Sequence, residues 1–195
     1  MSKKFIAPTW QDIEELSYKI AEQIIERNIK IDAIIAILRG GWIPARILAD
    51  ILGVEKIGVL GIKFYKSIES RKEQPIITYP LILDISNKNI LLVDDVADTG
   101  KSLSIAVEMA RLYGPRNIYT ATLYVKPTTI LVPDFYAETT NAWIIFPWEK
   151  AELAKEYSTG KIDDKMLEEI ANQTNIKIEQ IKRIARIVSR IQDNE

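Results

Sequence analysis

Ile90-Leu91-Leu92-Val93-Asp94-Asp95-Val96-Ala97-Asp98-Thr99-Gly100-Lys101-Ser102 is the stretch on which the fold of this chain turns. The apolar run from Asn89 to Val93 has the texture of a strand buried on both faces, as in a parallel sheet. Two acids follow at once, then a third, then Thr-Gly-Lys-Ser. A segment of helical period comes next, reaching about Tyr113 and stopping at Gly114-Pro115. The start of a helix offers unpaired N–H donors and the positive end of the helix dipole. Thr99 to Ser102 therefore make a cradle for a phosphoryl group. A Walker A loop would need a glycine five residues before Gly100. Asp95 stands there, and its charge would face the phosphates that such a loop surrounds. Carboxylates are instead good acceptors for a sugar diol, so Asp94 and Asp95 with this cradle suit a phosphorylated sugar. The bland alternative is a plain helix cap at a strand end.

Upstream, Thr9 and Asp12 read as a capping box, and Ile13, Leu16, Ile20 and Ile24 recur at helical spacing to about Asn28. Ala33 to Leu38 is a second buried strand, closed by Arg39-Gly40-Gly41. Ile43 to Leu52 reads as a helix ended by Gly53. Val59 to Tyr65 reads as a strand. Lys66 to Tyr79 is polar, holds Pro75 and lacks a clean period, so a long loop or ribbon able to move is expected there. Downstream, Ile118 to Val125, Asp134 to Ala137 and Trp143 to Phe146 are strand candidates. Strands alternating with helices imply an α/β fold with a mainly parallel sheet flanked by helices and right-handed crossovers. Ligands of such sheets bind beyond the carboxyl ends of the strands. The loops after Leu38 and Val93 both fall at that edge.

From Glu149 onward the pattern is helical only. Asp163 or Asp164 caps one helix, and Ile178, Ile181, Ile184, Val188 and Ile191 mark the apolar face of another. The expected organisation is a domain over residues 1–150 and a C-terminal helical extension over residues 151–195. The basic face of the last helix (Lys177, Lys182, Arg183, Arg186, Arg190) reads as solvated surface.

Composition narrows the chemistry. The 195 residues are 47% apolar and 27% charged, with a net charge of -1. Near-neutrality supplies no general field for nucleic acid. There is no Cys and no His, which removes zinc fingers, imidazole bases, Cys-His nucleophiles and disulfides. A metal would need oxygen ligands, which favours magnesium. No apolar run is long enough to cross a bilayer, and MSKKFIAPTW lacks the apolar core of a signal peptide. A reducing cytoplasm is the expected location.

The stretch from Ile90 to Ser102 closely resembles the PRPP-binding motif of type I phosphoribosyltransferases. The resemblance spans about residues 30 to 150. It implies that Asp94 and Asp95 bind the ribose hydroxyls, directly or through magnesium, while Ala97, Asp98, Thr99, Gly100, Lys101 and Ser102 hold the 5-phosphate. Asp98 falls where the purine enzymes carry a carboxylate near N7 of the base. Leu38-Arg39-Gly40-Gly41 resembles the pyrophosphate loop of the family, which commonly has a non-proline cis peptide, here Leu38-Arg39. Arg39 would then stabilise the leaving group.

YTATLYVKP (Tyr119 to Pro127) and AWIIFPWE (Ala142 to Glu149) resemble bacterial xanthine-guanine phosphoribosyltransferases and, more distantly, the hypoxanthine-guanine enzymes. By that likeness Lys126 donates to O6 of the base, Trp143 stacks on the purine, and the Ile144 backbone meets the base edge. Glu149 falls near an acid that approaches magnesium or pyrophosphate in relatives. Ile145 stands where the bacterial xanthine-guanine pattern has a carboxylate. This leaves guanine, hypoxanthine and xanthine open as bases. The resemblance also implies that the segment near Ser70-Arg71-Lys72, though without a signature of its own, closes over PRPP as the family's hood loop does.

Together these features imply transfer of ribose 5-phosphate from PRPP to a 6-oxopurine. The products are a nucleoside monophosphate and pyrophosphate, the cofactor is magnesium, and the enzyme is a homo-oligomer (dimer or tetramer) in the cytoplasm. The alternative is a non-catalytic regulator of the same fold that binds PRPP or nucleotide to control transcription or RNA.

Overall fold

The computed structural model describes residues 4–66 and 73–192. By internal contacts the chain forms two compact units, Ile13–Thr140 and the pair of segments Met1–Asp12 with Asn141–Glu195. The lines fall after Asp12 and after Thr140, whereas the change of texture along the sequence falls near 150.

Within Ile13–Thr140, helix α1 (Trp10–Glu26, entered from the preceding segment) buries Ile13, Leu16, Ser17, Ile20, Ala21 and Ile24. That spacing places them on one face. Asn28, at φ 52°, closes the helix in the left-handed region that Asn tolerates, so it stops just short of the expected end. Strand β2 (Ala33–Leu38) matches its expected bounds, and all but its last residue are buried. Helix α2 (Trp42–Ile51) and strand β3 (Ile57–Lys66) follow.

The polar stretch expected to be a loop or ribbon holds a strand in its second half. Strand β4 (Glu73–Tyr79) pairs antiparallel with β3, Phe64 opposite Pro75 and Ile62 opposite Ile77. β4 lies at the sheet edge, where a proline without a donor N–H is tolerated. The Ser70-Arg71-Lys72 segment lies outside the described residues.

Strand β5 (Asn89–Ala97) runs further than its apolar core suggested. Asp94 pairs with Thr122 and Val96 with Tyr124 of β6 (Asn117–Val125), so the acids belong to the ladder and the turn begins at Asp98. Helix α3 (Lys101–Arg111) follows. Strand β7 (Phe135–Thr139) starts one residue later than expected. Asp134 is used instead as a side-chain brace, accepting the Thr120 N–H and hydroxyl at 2.8 Å each. Among the described residues these strands form one sheet in the order β4-β3-β2-β5-β6-β7, parallel except at β4. Its core joins Ile35, Ile37, Leu60, Ile90 and Leu92 to Leu103, Ala106 and Ala110 of α3.

In the other unit, the short strand β1 (Phe5–Ile6) pairs in parallel with β8 (Trp143–Ile144). Thr9 and Asp12 make the expected box. The Asp12 carboxylate accepts the Thr9 N–H at 2.7 Å, and Thr9 Oγ1 accepts the Asp12 N–H at 3.2 Å. The tail forms α4 (Lys150–Ser158), α5 (Asp164–Gln173) and α6 (Ile178–Gln192). Asp163 caps α5 by accepting the Met166 N–H at 2.8 Å. Ile181 and Ala185 of α6 join Leu153, Leu167 and Ile170 in a core that also takes in Phe5 and Ile145. The basic residues of α6 are exposed, and Lys182 is tied to Asp164 at 3.1 Å.

Candidate active site

Adjacent parallel strands β2 and β5 each end in a loop at the same edge of the sheet, and the loop after β2 touches the end of β5. The Leu38-Arg39 peptide bond is cis, as the resemblance implied. Arg39 is exposed beyond it. Gly41 donates its N–H to Ile37 O at 2.9 Å and opens α2. The backbone of Gly40 lies against the Asp95 carboxylate, and that of Gly41 against the carbonyl of Val93. Neither position has room for a side chain, so the glycines let the first loop press onto the end of β5.

Asp95 is buried, but not in the apolar core: its carboxylate covers Gly40, and Oδ1 accepts the Val96 N–H at 2.8 Å. Asp94 is partly exposed and accepts the Asp95 N–H at 3.0 Å. Both acids therefore stand at the carboxyl edge. Ala97 is buried, whereas Asp98, Thr99 and Lys101 are exposed and Ser102 is partly so.

Gly100 takes φ 76°, the left-handed region, and enters α3 with no side chain of its own to cap it. Thr99 Oγ1 stands 3.5 Å from the Lys101 N–H, at the limit of a hydrogen bond. A helix start of this kind presents its opening amides on the side where an anion would bind.

Residues after β6 brace this turn; of them sequence reasoning singled out Lys126, and for the base rather than for a brace. Lys126 donates its N–H to Ala97 O at 3.0 Å, and Ile130 donates to Thr99 O at 3.0 Å. Thr128 Oγ1 donates to Asp98 O at 3.2 Å, and Thr129 packs against Gly100. The one hint in the sequence is Pro127, which ends the strand and forces a turn. The brace carries Lys126, whose Nζ stands 4.0 Å from Asp98 Oδ2; the lysine side chain is 16% exposed and the carboxylate 60%. A buried-stem donor and a solvent-facing carboxylate are therefore held side by side at the end of the cradle.

Trp143, Ile144 and Glu149 belong to the other unit. Trp143 is 52% exposed and Ile144 is buried on β8. Glu149 precedes α4, its N–H donated to Phe146 O at 3.0 Å.

Among the described residues no group of three or more Asp, Glu, His or Cys is arranged as a metal cage. Such a cage is not what magnesium asks for: it usually binds one or two carboxylates, with substrate phosphates and water completing the octahedron. Asp94 and Asp95 fit that pattern.

A glycine turn after β2 and an acidic turn after β5, on neighbouring parallel strands of one sheet, match the type I phosphoribosyltransferase class of fold. The family model described as "Phosphoribosyl transferase domain" matches residues 8–154, and the chain belongs to that family. It is 29% identical over 147 residues to the xanthine-guanine phosphoribosyltransferase of Gluconobacter oxydans, covering 74% of this chain and 84% of the relative. The Desulfotalea psychrophila xanthine-guanine phosphoribosyltransferase is 31% identical over 143 residues, covering 72% and 84%. Among solved structures, a purine phosphoribosyltransferase from Pyrococcus horikoshii aligns with a TM-score of 0.69 and 40% identity, covering 75% of this chain and 94% of that one. The chain is a glycosyltransferase of the phosphoribosyl-transferring kind. Among the described residues no helix is long and apolar enough to cross a membrane.

Proposed function

We propose that this protein transfers ribose 5-phosphate from PRPP to a 6-oxopurine (guanine, hypoxanthine or xanthine), forming a nucleoside 5'-monophosphate and pyrophosphate in purine salvage. The observation that carries this is the Lys126–Asp98 pair at 4.0 Å, fixed to the phosphate cradle by the brace. A lysine N–H rewards a 6-oxo acceptor and disfavours a 6-amino donor. A carboxylate beside it is suited to the proton at N7.

In this mechanism the α3 amides, Thr99 and Ser102 hold the 5-phosphate, and Asp94 and Asp95 hold the ribose hydroxyls. Arg39 and the glycine loop bind the pyrophosphate, where negative charge grows as the C1–O bond breaks. Asp98 takes the N7 proton as purine N9 bonds to C1, and Lys126 keeps O6 in place. Trp143 gives the purine a flat apolar surface, and the Ile144 backbone meets its edge. Magnesium, when bound through Asp94 or Asp95, adds charge to offset that of the phosphates; Glu149 is a further candidate ligand. The same proposal has the enzyme working as a homo-oligomer in the cytoplasm. Relatives named as enzymes favour catalysis over the regulator alternative.

The test is a panel of bases with PRPP and magnesium, read by pyrophosphate release. Guanine, hypoxanthine or xanthine should turn over, and adenine, orotate and uracil should not. Release with none of the six would sink the catalytic reading.

A further inference from the structure

The family match covers residues 8–154, so β1 lies before it, and α5 and α6 lie after it. These outlying segments meet each other. Phe5 donates its N–H to Gln173 Oε1, at the end of α5, at 2.9 Å. Phe5 also shares the tail core with Ile145, Leu167 and Ile170. Through β1 the tail reaches β8: Phe5 stands opposite Trp143, and Ile6 opposite Ile144. Trp143 donates its N–H to Lys4 O at 2.7 Å, and Ile145 donates to Ile6 O at 2.8 Å. Trp143, Phe5, Ile145, Met166 and Ile170 line one cavity of about 200 Å³, so the tryptophan and side chains of α5 border the same space.

We infer that the C-terminal helices act, through Gln173 and β1, as a clasp that positions Trp143 for the purine base. This rests on the proposed role of Trp143 as the base platform. β8 has only two residues, too few to fix the direction of a side chain by pairing alone. Pairing with β1 fixes its register, and β1 is fixed in turn by a hydrogen bond and an apolar seat on α5. Gln173 touches no substrate. It is a positioning residue, and its effect belongs to the KM for the base rather than to PRPP binding or to the fold.

The experiment compares wild type, Gln173→Ala, Gln173→Glu, Trp143→Ala and the Gln173→Ala/Trp143→Ala double variant in steady-state kinetics, varying base and PRPP in turn. Gln173 is exposed, so its variants should fold, which circular dichroism checks. Losing one hydrogen bond should raise the base KM about fivefold while the PRPP KM holds. Gln173→Glu, which keeps the acceptor oxygen, should restore it. In the Trp143→Ala background the Gln173 change should add nothing, because the group it positions is gone. An unchanged base KM in Gln173→Ala, equal rises in both KM values, or a full effect without Trp143 would each overturn the clasp. Trp143→Ala with an unchanged base KM would instead remove the platform role on which the clasp depends, a distinct failure visible in the same data.

Discussion

The Asp95 carboxylate lies over the α-carbon of Gly40, in the space that a side chain there would occupy. A methyl group at residue 40 would collide with Oδ2 and Cγ and stand 2.8 Å from Oδ1. The loop assigned to pyrophosphate and the strand assigned to ribose are thus in contact through a carboxylate and a backbone.

Gly40→Ala should therefore displace Asp95 and the loop together. The expected loss is about 100-fold in kcat/KM for PRPP, the scale of a 1 Å misplacement of reacting groups. Steady-state kinetics at saturating base would measure it, and wild-type values would show that the contact is incidental.

Asp98 is the exposed member of its pair with Lys126. Asp98→Ala should lower turnover by about 10² to 10⁴, the range for a lost acid-base group, with little change in PRPP affinity. Calorimetry for PRPP beside single-turnover rates would separate the two. Equal losses would remove Asp98 from proton transfer.

Gly100 and Gly114 both have positive φ, 76° and 63°. Alanine at either should cost about 1 to 2 kcal/mol for the backbone conformation alone. A side chain at Gly100 would also collide with Thr129 and stand 2.9 Å from the Leu131 N, whereas nothing lies within 4 Å at Gly114. Gly100→Ala should then raise KM for both PRPP and base, because the brace carrying Lys126 shifts. Gly114→Ala should lower melting temperature only. Matching kinetics in the two variants would count against the brace.

The Asp12 carboxyl is held below its usual range, first by the Thr9 N–H and then by the Thr9 hydroxyl. A depressed folded pKa adds stability above the ordinary carboxylate range and loses it as pH falls through the folded value. Asp12→Ala should therefore destabilise at pH 7, by about 0.5 kcal/mol for so exposed a group. The gap from wild type should narrow in acid. Urea unfolding at pH 7 and pH 3 would test this; a gap that widens in acid contradicts the assigned hydrogen bonds.

The parts legible in the sequence were those whose cause is local. Ala33 to Leu38 announced itself as a buried apolar run, Thr9 as a cap, and Asp163 or Asp164 as another, of which Asp163 is the one used. The turn from Asp98 to Gly100 and the helix start after it were legible because Gly100 stands between an apolar run and a helical period. Legibility failed where a remote partner decides. Asp94 to Ala97 looked like loop because acids rarely extend a strand, yet β6 supplies their pairing. Glu73 to Tyr79 became a strand only because β3 offered an edge. The two residues of β1 carry no period at all, and the brace from Lys126 to Ile130 acts through backbone groups that any residue could supply.

The hydrogen bond from Phe5 to Gln173 joins positions 168 apart in sequence. Closing so long a loop is slow and entropically unfavourable, and it must wait until both ends have been synthesised. At the ribosome, Phe5 leaves the exit tunnel long before its partner exists, so β1 has to remain unseated while the central sheet assembles. Seating of β1 on α5 therefore waits for a segment made long after it.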